Sequence, residues 1–62
     1  GLTNRELQIL SLLCQGLGNK AIARALAISA KTVDHHVSAV LGKVGASSRP
    51  EAAAKARDLG LS

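Results

Sequence analysis

The chain has 62 residues, eight of them Lys or Arg and four Asp or Glu, for a formal net charge of +4. A chain this short buries only roughly 60% of its unfolded surface, so it is one small domain with a thin core and no room for a sizeable enzyme pocket. It has no Phe, Tyr, Trp or Met and a single Cys, which excludes aromatic base-stacking platforms and an internal disulfide.

The basic balance, with a pI near 10.0, suits a polyanionic partner, though ribosomes, membrane surfaces and acidic proteins would draw on the same excess. The 47% apolar content is mostly Leu, Ile, Val and Ala. With one Pro and no alternating β-branched run, it predicts an all-α fold, a compact four-helix bundle. No signal peptide or apolar run of roughly 18 residues is present, so a soluble, cytoplasmic chain with no membrane contact is expected.

The first helix is predicted over about residues 4–15. Thr3 stands at its N-cap with Glu6 three residues on, a capping box. Leu7, Ile9, Leu10, Leu12, Leu13 and Cys14 form a broad apolar stripe, while Arg5, Gln8, Ser11 and Gln15 face water. Cys14, among leucines, reads as a small buried hydrophobe. Gly16 suits the left-handed position that ends helices.

The second helix is predicted over 19–27, capped by Gly18 or Asn19. Ile22, Ala23 and Leu26 line its inner face, with Lys20 and Arg24 outside. Ala27-Ile28-Ser29 is a tight corner. The third helix is predicted over 30–44, capped by Ser29 and stopped by Gly45. Val33, Val37, Val40, Leu41 and Val44 fall on one face. Lys31, Asp34, His35, Ser38, Gly42 and Lys43 lie on the other. A short helix, a tight turn and a longer helix with a polar outer face suggest a helix-turn-helix that reads DNA. The fourth helix is predicted over 48–59, where Ser48 and Glu51 form a second capping box with Pro50 in the first turn. Gly60 and Leu61 follow it.

Taken together these residues resemble a known family. Leu2-Thr3-x-Arg5-Glu6, Leu10, Gly16-Leu17-x-Asn19-Lys20-x-Ile22-Ala23 and Leu26-x-Ile28-Ser29 carry its first half. Lys31-Thr32-Val33-x-x-His36, Leu41-x-Lys43, Gly45, Ser48-Arg49, Glu51-Ala52 and Gly60-Leu61 carry the second. The pattern resembles the C-terminal DNA-binding domain of LuxR-type transcription regulators, shared with NarL-like response regulators, and covers residues 1–62.

The resemblance implies an output domain that inserts its third helix into the major groove of double-stranded DNA and binds as a dimer. By position, Asp34, His35 and Ser38 would face base edges. Lys20, Lys31, Thr32, His36 and Lys43 would serve the phosphate backbone. Ser47, Pro50, Ala54 and Arg57 would pair the fourth helix with its symmetry mate, in a homodimer that forms in solution or only on DNA. Regulation would come from an N-terminal portion absent from this chain: a receiver, a small-molecule sensor or an ATPase. Three positions depart from the family habit. Ala21 stands where Glu is frequent. Asp34 repels phosphate while offering cytosine N4 an acceptor. Ser38 has a short reach.

Plainer readings stand beside these. Asp34 and Lys43 also complement the dipole of the third helix at its two ends, and Lys31-Thr32 also reads as a solvated first turn. Arg49 and Glu51 read as structural, Arg57 and Asp58 as solvated unless a dimer covers them. His35 and His36 point about 100° apart and no further ligand stands at zinc spacing, so no metal is expected. No cofactor is expected either. No carboxylate pair, nucleophile set or phosphate loop supports an enzyme. The alternative to DNA binding is a helical protein-interaction or dimerisation module whose basic face is merely solvated.

Overall fold

The computed structural model describes residues 1–60, and the expected closing Leu61 lies outside the described residues. Four helices follow one another: α1 (Asn4–Cys14), α2 (Asn19–Leu26), α3 (Ala30–Val44) and α4 (Arg49–Asp58). Among the described residues there is no strand, and the fold class is all-α. The helix bounds lie within a residue of those read from the sequence, because the local stop signals operate as anticipated.

Each start is made by a side chain or a glycine. Thr3 accepts from the Glu6 N–H at 3.1 Å, and Glu6 Oε1 accepts from the Thr3 N–H at 2.8 Å, closing the capping box of α1. Ser29 accepts from the Thr32 N–H at 3.0 Å. Ser48 accepts from the Glu51 N–H at 3.2 Å, but the reciprocal bond is displaced by one residue: Glu51 Oε1 accepts from Ser47 N–H at 3.2 Å. The second capping box expected at Ser48 and Glu51 is therefore not closed, since Glu51 reaches past the cap to the residue before it.

All four helix ends use the same device, a left-handed residue that turns the chain back onto its last carbonyls, with Gly60 (φ 73°) in this place after α4. Gly16 (φ 82°) ends α1 and Gly45 (φ 71°) ends α3. Ala27 (φ 56°, ψ 43°) ends α2, with the Ile28 N–H donating to Ala23 O at 3.0 Å. Ala27 is the one non-glycine residue at positive φ among the described residues. It is exposed, so its methyl gains no packing in return for a conformation that costs an L-residue roughly 1–2 kcal/mol.

The core is one cluster around α3. Ile9, Leu10, Ile22, Val33 and Val40 are its largest fully buried side chains, joined by Leu13, Val37, Ala52 and Ala56. The α1 helix packs on both α3 and α4, α2 packs on α3, and α3 also touches α4. The alanines of α4 let it lie close to α1, and Cys14 Sγ stands 4.0 Å from Ala53 O. Cys14 is half-buried rather than buried. Leu7, expected in the apolar stripe of α1, is 39% exposed, because α1 is covered by α3 and α4 on one side only. Arg5, expected to face water, is half-buried.

A polar tie closes the structure at the far end of α3. Lys43 Nζ lies 2.8 Å from Glu6 Oε1 and 3.4 Å from Gly1 O. Glu6 is 6% exposed, a burial tolerable for a carboxylate because its Oε1 accepts from both the Thr3 N–H and the Lys43 ammonium. The Lys43 ammonium and then the Thr3 N–H hold its pKa down from 4.5 to about 2. Between those two values the unfolded chain binds a proton that the folded chain refuses, so stability rises with pH across that window. We expect the stability gap between wild type and Glu6→Gln to close as pH falls from about 4.5 to about 2, read from urea midpoints. A gap independent of pH would show that the Glu6 charge contributes nothing. We also expect Ala27→Gly to stabilise the fold by about 0.5–1 kcal/mol, seen as a higher Tm, because glycine adopts the left-handed conformation without strain.

Candidate nucleic-acid interface

The helix that organises the core also presents the longest polar face. Its 15 residues run about 22 Å, most of the 28 Å long axis of the molecule. Val33, Val37 and Val40 point inward, which turns Lys31, Asp34, His35, Ser38, Ala39 and Gly42 to solvent. Asp34 and Ser38 are one turn apart, as are Lys31 and His35, so the residues expected to face bases share one exposed side. A helix with this free side fits the width of a major groove.

The start of α3 is already partly satisfied. Ser29 Oγ accepts from the Thr32 N–H at 3.0 Å and lies 2.9 Å from Thr32 Oγ1. The first intrahelical bond is Val33 N–H to Ser29 O at 3.0 Å. That leaves the Ala30 and Lys31 N–H groups as the outward donors of this turn, next to the exposed Lys31 ammonium. Thr32 is thus held by the cap, with its hydroxyl on the surface.

Lys20 is exposed at the start of α2, and Arg24 is exposed one turn later. The N-cap of α2 is Gly18, which makes no side-chain bond to the helix, so no capping side chain occupies its first N–H groups beside Lys20. Arg24 was not among the residues the sequence singled out for DNA. Its signal was the four-residue spacing from Lys20. His36 is half-buried and sits on the flank of α3 away from Asp34. Lys43 stands apart from the rest, some 18 Å along the helix from Lys31, with its ammonium on Glu6. That ion pair is the only one among the described residues, so Lys20, Arg24 and Lys31 carry positive charge that no carboxylate answers.

On α4, Pro50, Ala54 and Arg57 fall at i, i+4 and i+7 and face outward together with Ser47, Ala54 being half-buried. The other side of α4 is buried through Ala52, Ala53 and Ala56. Arg49, at the first helical position, reaches back across the molecule. Its guanidinium donates to Asn19 Oδ1 at 2.6 Å and to Leu17 O at 3.0 Å. Among the described residues no three His, Cys, Asp or Glu gather as a metal site. No helix among them is long and apolar enough to cross a membrane.

Comparison with known proteins agrees with this geometry. Residues 1–56 match the family described as bacterial regulatory proteins, luxR family. The chain is 48% identical over 50 residues to the oxygen regulatory protein NreC of Staphylococcus aureus strain JH9, an overlap of 81% of this chain and 23% of that protein. The proteins of that name in strains Mu3 and MSSA476 are similar to the same extent. The chain thus spans less than a quarter of the length of the curated relatives it matches. The chain belongs to the LuxR family of bacterial regulatory proteins, as a DNA-binding helix-turn-helix domain of transcription regulation.

Proposed function

We propose that this domain recognises specific double-stranded DNA sequences as the output domain of a longer, cytoplasmic transcription regulator, with α3 in the major groove. The observation that carries the reading is the exposed face of α3. Asp34, His35 and Ser38 lie free on the side opposite Val33, Val37 and Val40. In that pose these three side chains read base edges, while Lys20, Lys31, Thr32 and His36 hold phosphates on either side. Lys43 serves Glu6 first and the phosphates second, since its ammonium is already bonded.

The outward face of α4, made by Ser47, Pro50, Ala54 and Arg57, pairs with the same face of a second copy. A two-fold pair of this kind repeats each contact, so the bound site would itself have two-fold symmetry. One copy covers a half-site. The rest of the regulator, of which this chain is the smaller part by comparison with its relatives, governs access to α3 or α4.

Selection from random duplexes, followed by anisotropy titrations at two salt concentrations, tests this directly. A two-fold motif bound with a steep salt dependence, slope about −0.9 per phosphate contact, is the expected result. Failure to bind any duplex at low salt would favour a protein-interaction module. We expect His35→Ala to change the order of preference among duplexes. Lys20→Ala and Lys31→Ala should instead weaken all duplexes alike and flatten the salt slope by about one each. Ala54→Glu should abolish the advantage of a two-fold site over a single half-site and leave half-site affinity unchanged. Equal losses on both would show that α4 does not pair.

A further inference from the structure

Arg49 and the two residues it bonds, Leu17 and Asn19, lie some thirty positions apart in the chain yet form one junction. Arg49 opens α4. Its two acceptors, Leu17 O at 3.0 Å and Asn19 Oδ1 at 2.6 Å, flank Gly18, the N-cap of α2. No direct α2–α4 packing is needed for this link, because the guanidinium spans the gap through two parallel-reaching N–H groups. Gly18 makes no side-chain bond to α2 and has open space around its Cα. The start of α2 therefore lacks the local clamp that Thr3, Ser29 and Ser48 provide for the other three helices. Asn19 is the first residue of α2, and Lys20 is the next.

We propose that Arg49 is a positioning residue for DNA binding: by bonding Leu17 O and Asn19 Oδ1 it locks the start of α2, and with it Lys20, to α4. The inference rests on the DNA-binding reading above. The bond has a physical consequence for the proposed dimer. The helix that pairs two copies and the helix end that meets the phosphate backbone become one rigid unit, so the spacing of the two Lys20 residues follows from the α4 contact. Two charge-assisted bonds in fixed fork geometry hold a backbone turn more rigidly than an ammonium does, since a lysine is a compact point charge on a flexible stem without the planar fork that reaches both acceptors in set directions.

The test is a set of titrations of a labelled mixed-sequence duplex, with the fold of each variant followed by circular dichroism and thermal unfolding. The variants are Arg49→Lys, Asn19→Ala, Lys20→Ala and each of the first two combined with the third. Arg49→Lys keeps the charge, and Asn19→Ala leaves the charge of the chain unchanged. Below their unfolding temperatures, both should nonetheless weaken binding roughly tenfold and flatten the salt slope by about one, as Lys20→Ala does. Combined with Lys20→Ala, neither should cause further loss, because all three act through one contact. Folded Arg49→Lys and Asn19→Ala proteins with wild-type affinity and slope, alongside a weakened Lys20→Ala, would overturn the inference and leave the DNA-binding reading standing. Additive losses would overturn it as well, by showing that Arg49 meets DNA independently. A wild-type chain without salt-dependent binding to the duplex would remove the reading and the inference together.

Discussion

Burial of one stripe of α3 governs the rest of the structure. Val33, Val37 and Val40 lie within the cluster formed with Ile9, Leu10 and Ile22, and α1, α2 and α4 all pack on this helix. Because a helix repeats every 3.6 residues, committing these positions to the core commits Lys31, Asp34, His35 and Ser38 to solvent. The same helix is then both the structural axis and the proposed reading surface. A groove-inserted element is best held on a rigid scaffold, and here it is part of the scaffold.

A domain of this size has few apolar contacts to spare, and its longest-range polar bonds supplement them at the junctions. Lys43 ties the end of α3 to the capping box of α1 through Glu6. Arg49 ties the start of α4 to the turn between α1 and α2. Among the described residues no buried side-chain nitrogen or oxygen is left without a partner. These bonds matter more for fixing the relative placement of helices than for net stability, since partly exposed polar pairs contribute little beyond the water they replace.

The corner between α2 and α3 shows the opposite choice. Ala27 takes a left-handed conformation where Gly16 and Gly45 do so freely at the other two turns. The turn is enforced from outside the residue: Ile28 is half-buried against the core and its N–H bonds Ala23 O. Packing on both sides of the corner overrides the local preference of alanine. The angle between α2 and α3 is thereby a property of the tertiary structure.

Much of the fold was legible in the order of residues, because its signals are local. Caps at Thr3, Ser29 and Ser48, stops at Gly16 and Gly45, and the valine periodicity of α3 each act over one or two turns, and the helices begin and end within a residue of them. The family resemblance and the identity of the exposed face of α3 were legible for the same reason. Contacts between distant positions were not. Nothing near Lys43 indicates that its ammonium meets Glu6, 37 residues away, and nothing near Arg49 indicates a turn 30 residues earlier. Nor does periodicity show which side of α1 is left uncovered, which is why Leu7 is more open than its place in the stripe suggests. Local hydrogen bonding and helical periodicity determine the elements and their inner faces. Which charges are free for a partner and which are bound within the fold is decided only when helices far apart in the chain are brought together.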